Sequence, residues 1–215
     1  MARPRKDETA IDAKQRIQNS FWELLEDNQL NEITVGMVVN HAHCNRGTFY
    51  YHYENMDDLI DQVLTQAFTT NYPSIELFIA FLTNKGIERT FLKHKDDINR
   101  ITMFNRQGGM KLAREKLSSI MFKVLDNAIT QEGQEMKNET KLILEFFISG
   151  VTGLSTYINQ EHFEAESHSL ANSRYPGDVF RFFFKEVCLA QGISQERMLT
   201  DIIKQNGLFG NEAAK

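Results

Sequence analysis

Apolar side chains recur at three- and four-residue spacing along most of this chain, and little interrupts them. Ile17, Phe21, Leu24 and Leu25 stand at i, i+4, i+7 and i+8, and Val35, Val38, Val39 and Ala42 at i, i+3, i+4 and i+7. That is the period of a helix with one buried stripe, whereas a half-buried strand would alternate. The three prolines are Pro4, Pro73 and Pro176, so long stretches keep the backbone donors a helix needs. The expected fold class is all-α, and an apolar content of 41% over 215 residues is enough for a real core.

Local signals then punctuate the helices. A first helix is expected over residues 7–26, ending near Asn28. Thr34 is an N-cap for a short second helix, because its hydroxyl can accept from a first-turn N–H. Residues 41–44 cannot continue that helix comfortably, Asn45 caps a third over 46–53, and Phe49 and Tyr53, four apart, fall on its buried side. Asn55 caps a fourth helix, with Asp57 and Asp58 where negative charge suits the helix dipole. Pro73 opens the next. Further helices are expected at 90–105, 110–130 and 137–160, separated by Gln107, Gly108 and Gly109 and by Glu132 and Gly133. A polar loop over 161–177, with a Pro-Gly pair, precedes helices at 178–190 and 194–206. The domain reading is 1–54 for a small N-terminal unit, 55–206 for a larger helical one and 207–215 for a loose tail.

Composition removes several classes. The basic start is followed by polar residues and no apolar signal core, and the most hydrophobic window, 142–158, is broken by Glu145 and carries Ser149, Thr152, Ser155 and Thr156. No membrane partner is expected, and the chain reads as cytoplasmic. Cys44 and Cys188 make neither a disulfide framework nor a CxxC pair. His41, His43, Cys44 and His52 are zinc-ligand types, but a helix-turn geometry scatters them over different faces, so neither metal nor cofactor is expected. The net charge of −5 argues at first against nucleic acid. Its distribution reverses the argument: residues 33–53 contain no Asp or Glu but do contain Arg46 and three histidines, and Arg3, Arg5 and Lys6 form a basic arm before the first helix. A DNA-facing surface needs a local clearing of negative charge, which the sum over the chain does not measure.

The segment Asn-Arg-Gly-Thr-Phe-Tyr-Tyr-His-Tyr at 45–53, followed by Glu-Asn-Met-Asp-Asp-Leu, resembles the recognition helix and following cap of the TetR family of bacterial transcription regulators. The similarity extends from about Ala13 to Leu64 and includes Ile33, Thr34 and Val35. It implies an N-terminal helix-turn-helix DNA-binding domain joined to a helical ligand-binding and dimerisation domain. The DNA-binding set is then Thr34, Asn45, Arg46, Gly47, Thr48, Tyr50, Tyr51 and His52, with the Arg3, Arg5, Lys6 arm reaching an adjacent backbone or minor groove. Arg46, leading the recognition helix, carries a donor fork suited to guanine O6 and N7. Gly47 permits close approach of backbone to DNA. Thr48 offers a hydroxyl to phosphate or a methyl to thymine. Tyr50 and Tyr51 fall off the phase of Phe49 and are assigned with His52 to phosphates and the groove wall; core packing is the alternative for both tyrosines, and the accepted reading for Tyr53. Three positions depart from the family pattern: His43 where the turn usually has Gly, Cys44 at the usual Val, and Met56 in place of a Lys.

Beyond Leu64 the resemblance is weak, closest to the Gram-positive variety, and no nucleophile–base pair or glycine-rich phosphate loop appears, so an enzyme is not expected. Ser149, Gly150 and Gly153 in one helix, with Val179, Phe182, Phe183 and Val187 in a later one, form a candidate dimer seam; packing within the chain would use the same stripe. Met103, Phe104, Met121, Phe122, Phe147 and Tyr157 are candidates for an effector pocket, or plain core. The family reading is a homodimeric repressor released from a palindromic double-stranded DNA operator by a small-molecule effector. An adaptor signalled by a protein co-regulator, and a helical enzyme sharing the fold, are the competing readings.

Overall fold

A computed structural model describes residues 12–69, 73–130, 133–154, 169 and 173–205. The expected arm at Arg3, Arg5 and Lys6, Tyr157 and the tail at 207–215 lie outside the described residues. Within them every regular element is a helix and there is no strand, so the fold is all-α. Among the described residues, no helix is long and apolar enough to cross a membrane. The chain divides into two compact units, Met1–Thr65 and Gln66–Lys215, so the division falls beyond Glu54 and inside a helix.

In the N-terminal unit, α1 (Ala13–Asp27) packs against α2 (Val35–His41) and α3 (Arg46–His52), which pack on each other. A single 3-10 turn, Leu30–Glu32, leads from α1 toward α2, held by reciprocal bonds between Gln29 and Glu32. Ile17, Phe21, Leu25, Val38 and Phe49 are wholly buried, matching the periodicity. The helix α4 (Met56–Thr69) follows, and the Asp58 N–H donates to Asn55 Oδ1 at 3.0 Å as the cap reading expects.

The C-terminal unit contains α5 (Pro73–Thr83), α6 (Ile87–Lys93), α7 (Lys95–Phe104), a wide π-type turn (Asn105–Gly109), α8 (Met110–Thr130), α9 (Asn138–Leu154), α10 (Arg174–Gln191) and α11 (Gln195–Gln205). α10 packs against α5 and α9, and α8 packs against α9 and α11. Their common core includes Phe78, Leu125, Ile129, Leu144, Ile148, Phe184 and Val187.

Polar side chains clamp these helices at chosen points. Buried Gln191 uses all four of its bonding positions: Oε1 accepts from the Lys137 N–H at 3.1 Å and the Thr140 hydroxyl at 3.0 Å, and Nε2 donates to Gln134 at 3.1 Å and the Glu135 carbonyl at 2.9 Å. Glu145, which interrupts the apolar window, accepts from Arg114 and from the buried Ser118 hydroxyl, joining α9 to α8. Arg181 of α10 donates to the Phe81 carbonyl at 3.2 Å and to Asp178 at 2.6 Å.

Two boundaries differ from the sequence reading. The helix expected over 90–105 is two helices meeting at His94, whose φ is −108° and ψ 19°. The imidazole there is buried and sits 2.8 Å from Glu76 of α5. The helix expected from Asp178 starts at Arg174, so residues 174–177 are not loop; the Ser173 side chain caps the Tyr175 N–H. Pro176 is tolerated because first-turn N–H groups have no intrahelical partner. The expected break at 107–109 is present as the π-type turn, with Gly108 at φ 94°.

A Cβ on Gly109 would fall 2.1 Å from a ring carbon of wholly buried Phe104, whereas one on Gly150 meets nothing within 4 Å. Gly109→Ala should therefore lose about 1–3 kcal/mol in urea unfolding by overpacking. Gly150→Ala should gain up to about 1 kcal/mol from helix propensity.

Burial raises the Glu76 carboxyl, but bonds from Lys93 and His94 outweigh it and hold the group below its ordinary range. A depressed folded value means that this contribution is complete above the ordinary glutamate range and is lost as pH falls through the lowered value. Glu76→Gln should flatten the acid limb of stability against pH; an unchanged acid limb would remove Glu76 from that role.

Candidate nucleic-acid interface

The exposed surface of α2 and α3 is built by two caps and one reversed backbone. Thr34 is extended, at φ −113° and ψ 158°, and its Oγ1 accepts from the Met37 N–H at 3.3 Å, which starts α2. α2 closes with the Ala42 N–H on the Val38 carbonyl at 2.8 Å. The chain then doubles back: the Cys44 N–H reaches the Val39 carbonyl at 3.0 Å, and His43 takes φ +50°, the left-handed region. The position flagged for departing from glycine is therefore the one whose backbone carries the strain. Arg16 of α1 donates to the Ala42 carbonyl at 3.3 Å, bracing the turn. No sequence signal marks that brace, because the partners are far apart in the chain and the acceptor is backbone.

Asn45 caps α3 as expected, its Oδ1 accepting from the Thr48 N–H at 2.8 Å. The Thr48 hydroxyl donates to the same oxygen at 3.1 Å, so its hydrogen is committed inside the cap, and its methyl and its accepting oxygen are left to offer. Gly47 also serves the cap, because a Cβ there would lie 3.1 Å from Asn45 Oδ1.

Phe49 is wholly buried and Tyr53 nearly so, with ring centroids 5.5 Å apart. Burial pushes the Tyr53 phenol up to about 12, keeping it neutral, and Lys14 lies over its ring at 5.7 Å. With that side turned inward, Tyr50 is 55% and Tyr51 83% exposed. Tyr51 meets the half-buried His52 ring edge-on at 4.9 Å. Asn45, Arg46 and Gly47 are exposed at the leading end of α3, and Thr34 is exposed at the start of α2. The eight DNA-binding candidates outside the arm thus lie on two adjoining helices, most of them open to solvent.

The histidines and cysteine of this region do not converge. His41 pairs with Glu23 at 3.4 Å, and among the described residues no three His, Cys, Asp or Glu side chains form a metal-sized group.

The candidate pocket and seam residues separate. Met121 belongs to the C-terminal core, and Phe122 and Phe147 pack against it. Phe147 stacks on Phe183 at 3.9 Å and meets Phe180 edge-on at 4.7 Å. Phe104 instead covers Gly109, and neighbouring Met103 is half-buried. In the expected seam, Phe183 and Val187 are buried in the chain's own core, because α10 turns that side toward α5 and α9. Ser149, Gly150, Val179 and Phe182 face outward, and Gly153 is half-exposed. Leu142, Phe146, Tyr175 and Leu189, which are not among the expected seam residues, are exposed on the same two helices. The positions 175, 179, 182 and 189 share one face by spacing alone. No protein-family model matches the chain, and no curated protein matches it as a relative.

The local strain and capping are testable by thermal unfolding of the intact chain. His43→Val, a branched residue at positive φ, should cost about 1–2 kcal/mol. Asn45→Ala should cost about 1 kcal/mol through loss of the cap.

Proposed function

We propose that this chain is a sequence-specific DNA-binding transcriptional regulator of the TetR type, its N-terminal unit a helix-turn-helix that lays α3 in the major groove. One observation carries the reading: α3 buries Phe49 while Arg46, Gly47, Tyr50 and Tyr51 stand exposed, in a stretch without a carboxylate from Ile33 to Tyr53. A solvated helix with no such role would be expected to carry charges of both signs and few exposed aromatic rings. A phosphate-facing helix benefits from the opposite composition.

The regulator acts as a homodimer. Phe146 on α9 is 84% exposed and Phe182 on α10 is 65% exposed, with Leu142, Tyr175, Val179 and Leu189 exposed on the same two helices. Large apolar groups gathered this way favour association. Two recognition helices about one DNA turn apart, ~34 Å, then read a palindrome, and a change in that spacing releases the DNA. The C-terminal unit takes the signal, a small hydrophobic or amphipathic molecule, and the protein represses in its absence.

Selection from a random duplex pool with the full chain should enrich a palindrome, bound more weakly as salt rises. Phe146→Glu together with Phe182→Glu should shift sedimentation from dimer to monomer and weaken binding to the full palindrome far more than to a half-site. Recovery of no common sequence from the pool would end the DNA-binding reading, and an unchanged sedimentation coefficient would end the assignment of the dimer face.

A further inference from the structure

We infer that Thr34 and Arg46 grip the same DNA phosphate, so that Arg46 fixes the register of the protein on the duplex and does not read a base; this rests on the DNA-binding reading of the N-terminal unit. By position alone, at the leading end of α3, Arg46 is the natural reader of guanine. Its side chain lies elsewhere. Measured from the point where a Cβ on Gly36 would sit, Thr34 Oγ1 is 3.7 Å away and an Arg46 Nη nitrogen is 3.8 Å away. The guanidinium is therefore turned back toward the beginning of α2, and both side-chain tips lie within 4 Å of one point beside Gly36.

The chemistry of the two tips points to a single kind of occupant. Thr34 Oγ1 already accepts the Met37 N–H, and no described group accepts its own hydrogen, which is left to donate outward. A guanidinium only donates. Arg46 has no hydrogen-bond or ion-pair partner among the described residues, and residues 33–53 supply no carboxylate to neutralise it. Two donors beside one point, one of them charged, call for an anion with more than one acceptor oxygen. A phosphodiester presents two non-bridging oxygens and a full negative charge. A guanine edge satisfies the two donors of an arginine fork but leaves the threonine hydroxyl unused, and in helix-turn-helix docking the first helix of the pair crosses the backbone, away from base edges. Because the Thr48 hydrogen is tied to Asn45, discrimination between bases then falls to the Thr48 methyl and accepting oxygen and to the exposed Tyr50 and Tyr51.

The test uses the full chain and the duplex selected from the random pool, with affinities read by fluorescence anisotropy between 50 and 200 mM salt. These are compared on the selected sequence and on each single-base-pair variant of it. Arg46→Ala should weaken binding about tenfold or more on every sequence alike, lower the slope of log Kd against log salt by about one, and leave the order of base preferences intact. Thr34→Val should weaken all sequences too, and the double variant should lose less than the two single losses combined, because both groups hold one phosphate. Thr34→Ser, which keeps the cap and the outward hydrogen, should bind as the parent does. Loss of preference at one base pair in Arg46→Ala would show that it reads a base, and fully additive losses would show two separate contacts; either overturns the shared grip. Failure of the parent chain to select any DNA would instead overturn the underlying reading.

Discussion

The reversed backbone between α2 and α3 is the constraint on which the N-terminal unit depends. With φ +50° at His43, the Cys44 N–H can turn back to the Val39 carbonyl, and the chain emerges with Asn45 extended and ready to cap. That geometry fixes the rotation of α3 against α1 and α2, so Phe49 and Tyr53 go in and Arg46, Tyr50 and Tyr51 stay out. An L-residue pays sterically for this conformation, and histidine is among the non-glycine types that tolerate it better. The burial of Phe49 and the Arg16 bond to Ala42 hold the turn against that cost.

The C-terminal unit is organised by a different device. Its apolar core would accept several helix registers, since Leu, Phe and Met adapt to one another. The buried amide of Gln191 bonds to the Gln134 side chain and three groups near the start of α9, and Glu145 bonds to Arg114 and Ser118 of α8. A satisfied polar group in a core penalises every arrangement that would leave it unbonded. The same helices turn Phe146 and Phe182 outward, so the specific internal contacts and the apolar external surface belong to opposite sides of α9 and α10.

Side-chain commitments also redistribute the roles at the candidate interface. Thr48 is bound into its own cap, Gly47 is needed so that this cap is not crowded, and Arg46 is turned toward Thr34 and Gly36. Each of these residues still fits a nucleic-acid surface. If they bind DNA as proposed, the division between holding the backbone and reading bases would differ from the one their order along α3 implies.

The all-helical class, the two caps at Thr34 and Asn45, the inward phase of Phe49 and Tyr53 and the break at Gly108 were legible in the sequence, because each follows from interactions within a few residues. What was not legible required knowing which helices meet. Phe182 and Phe183 are adjacent and chemically identical, yet one is exposed and the other buried, according to where α5 and α9 lie. The buried ring of His94, where two helices meet, lies against Glu76 of another helix, and Arg46 is turned back beside Gly36 and Thr34. Periodicity marks a face as apolar; the packed neighbours decide whether that face is core or surface, since burial is a property of the assembled layers and not of any one segment.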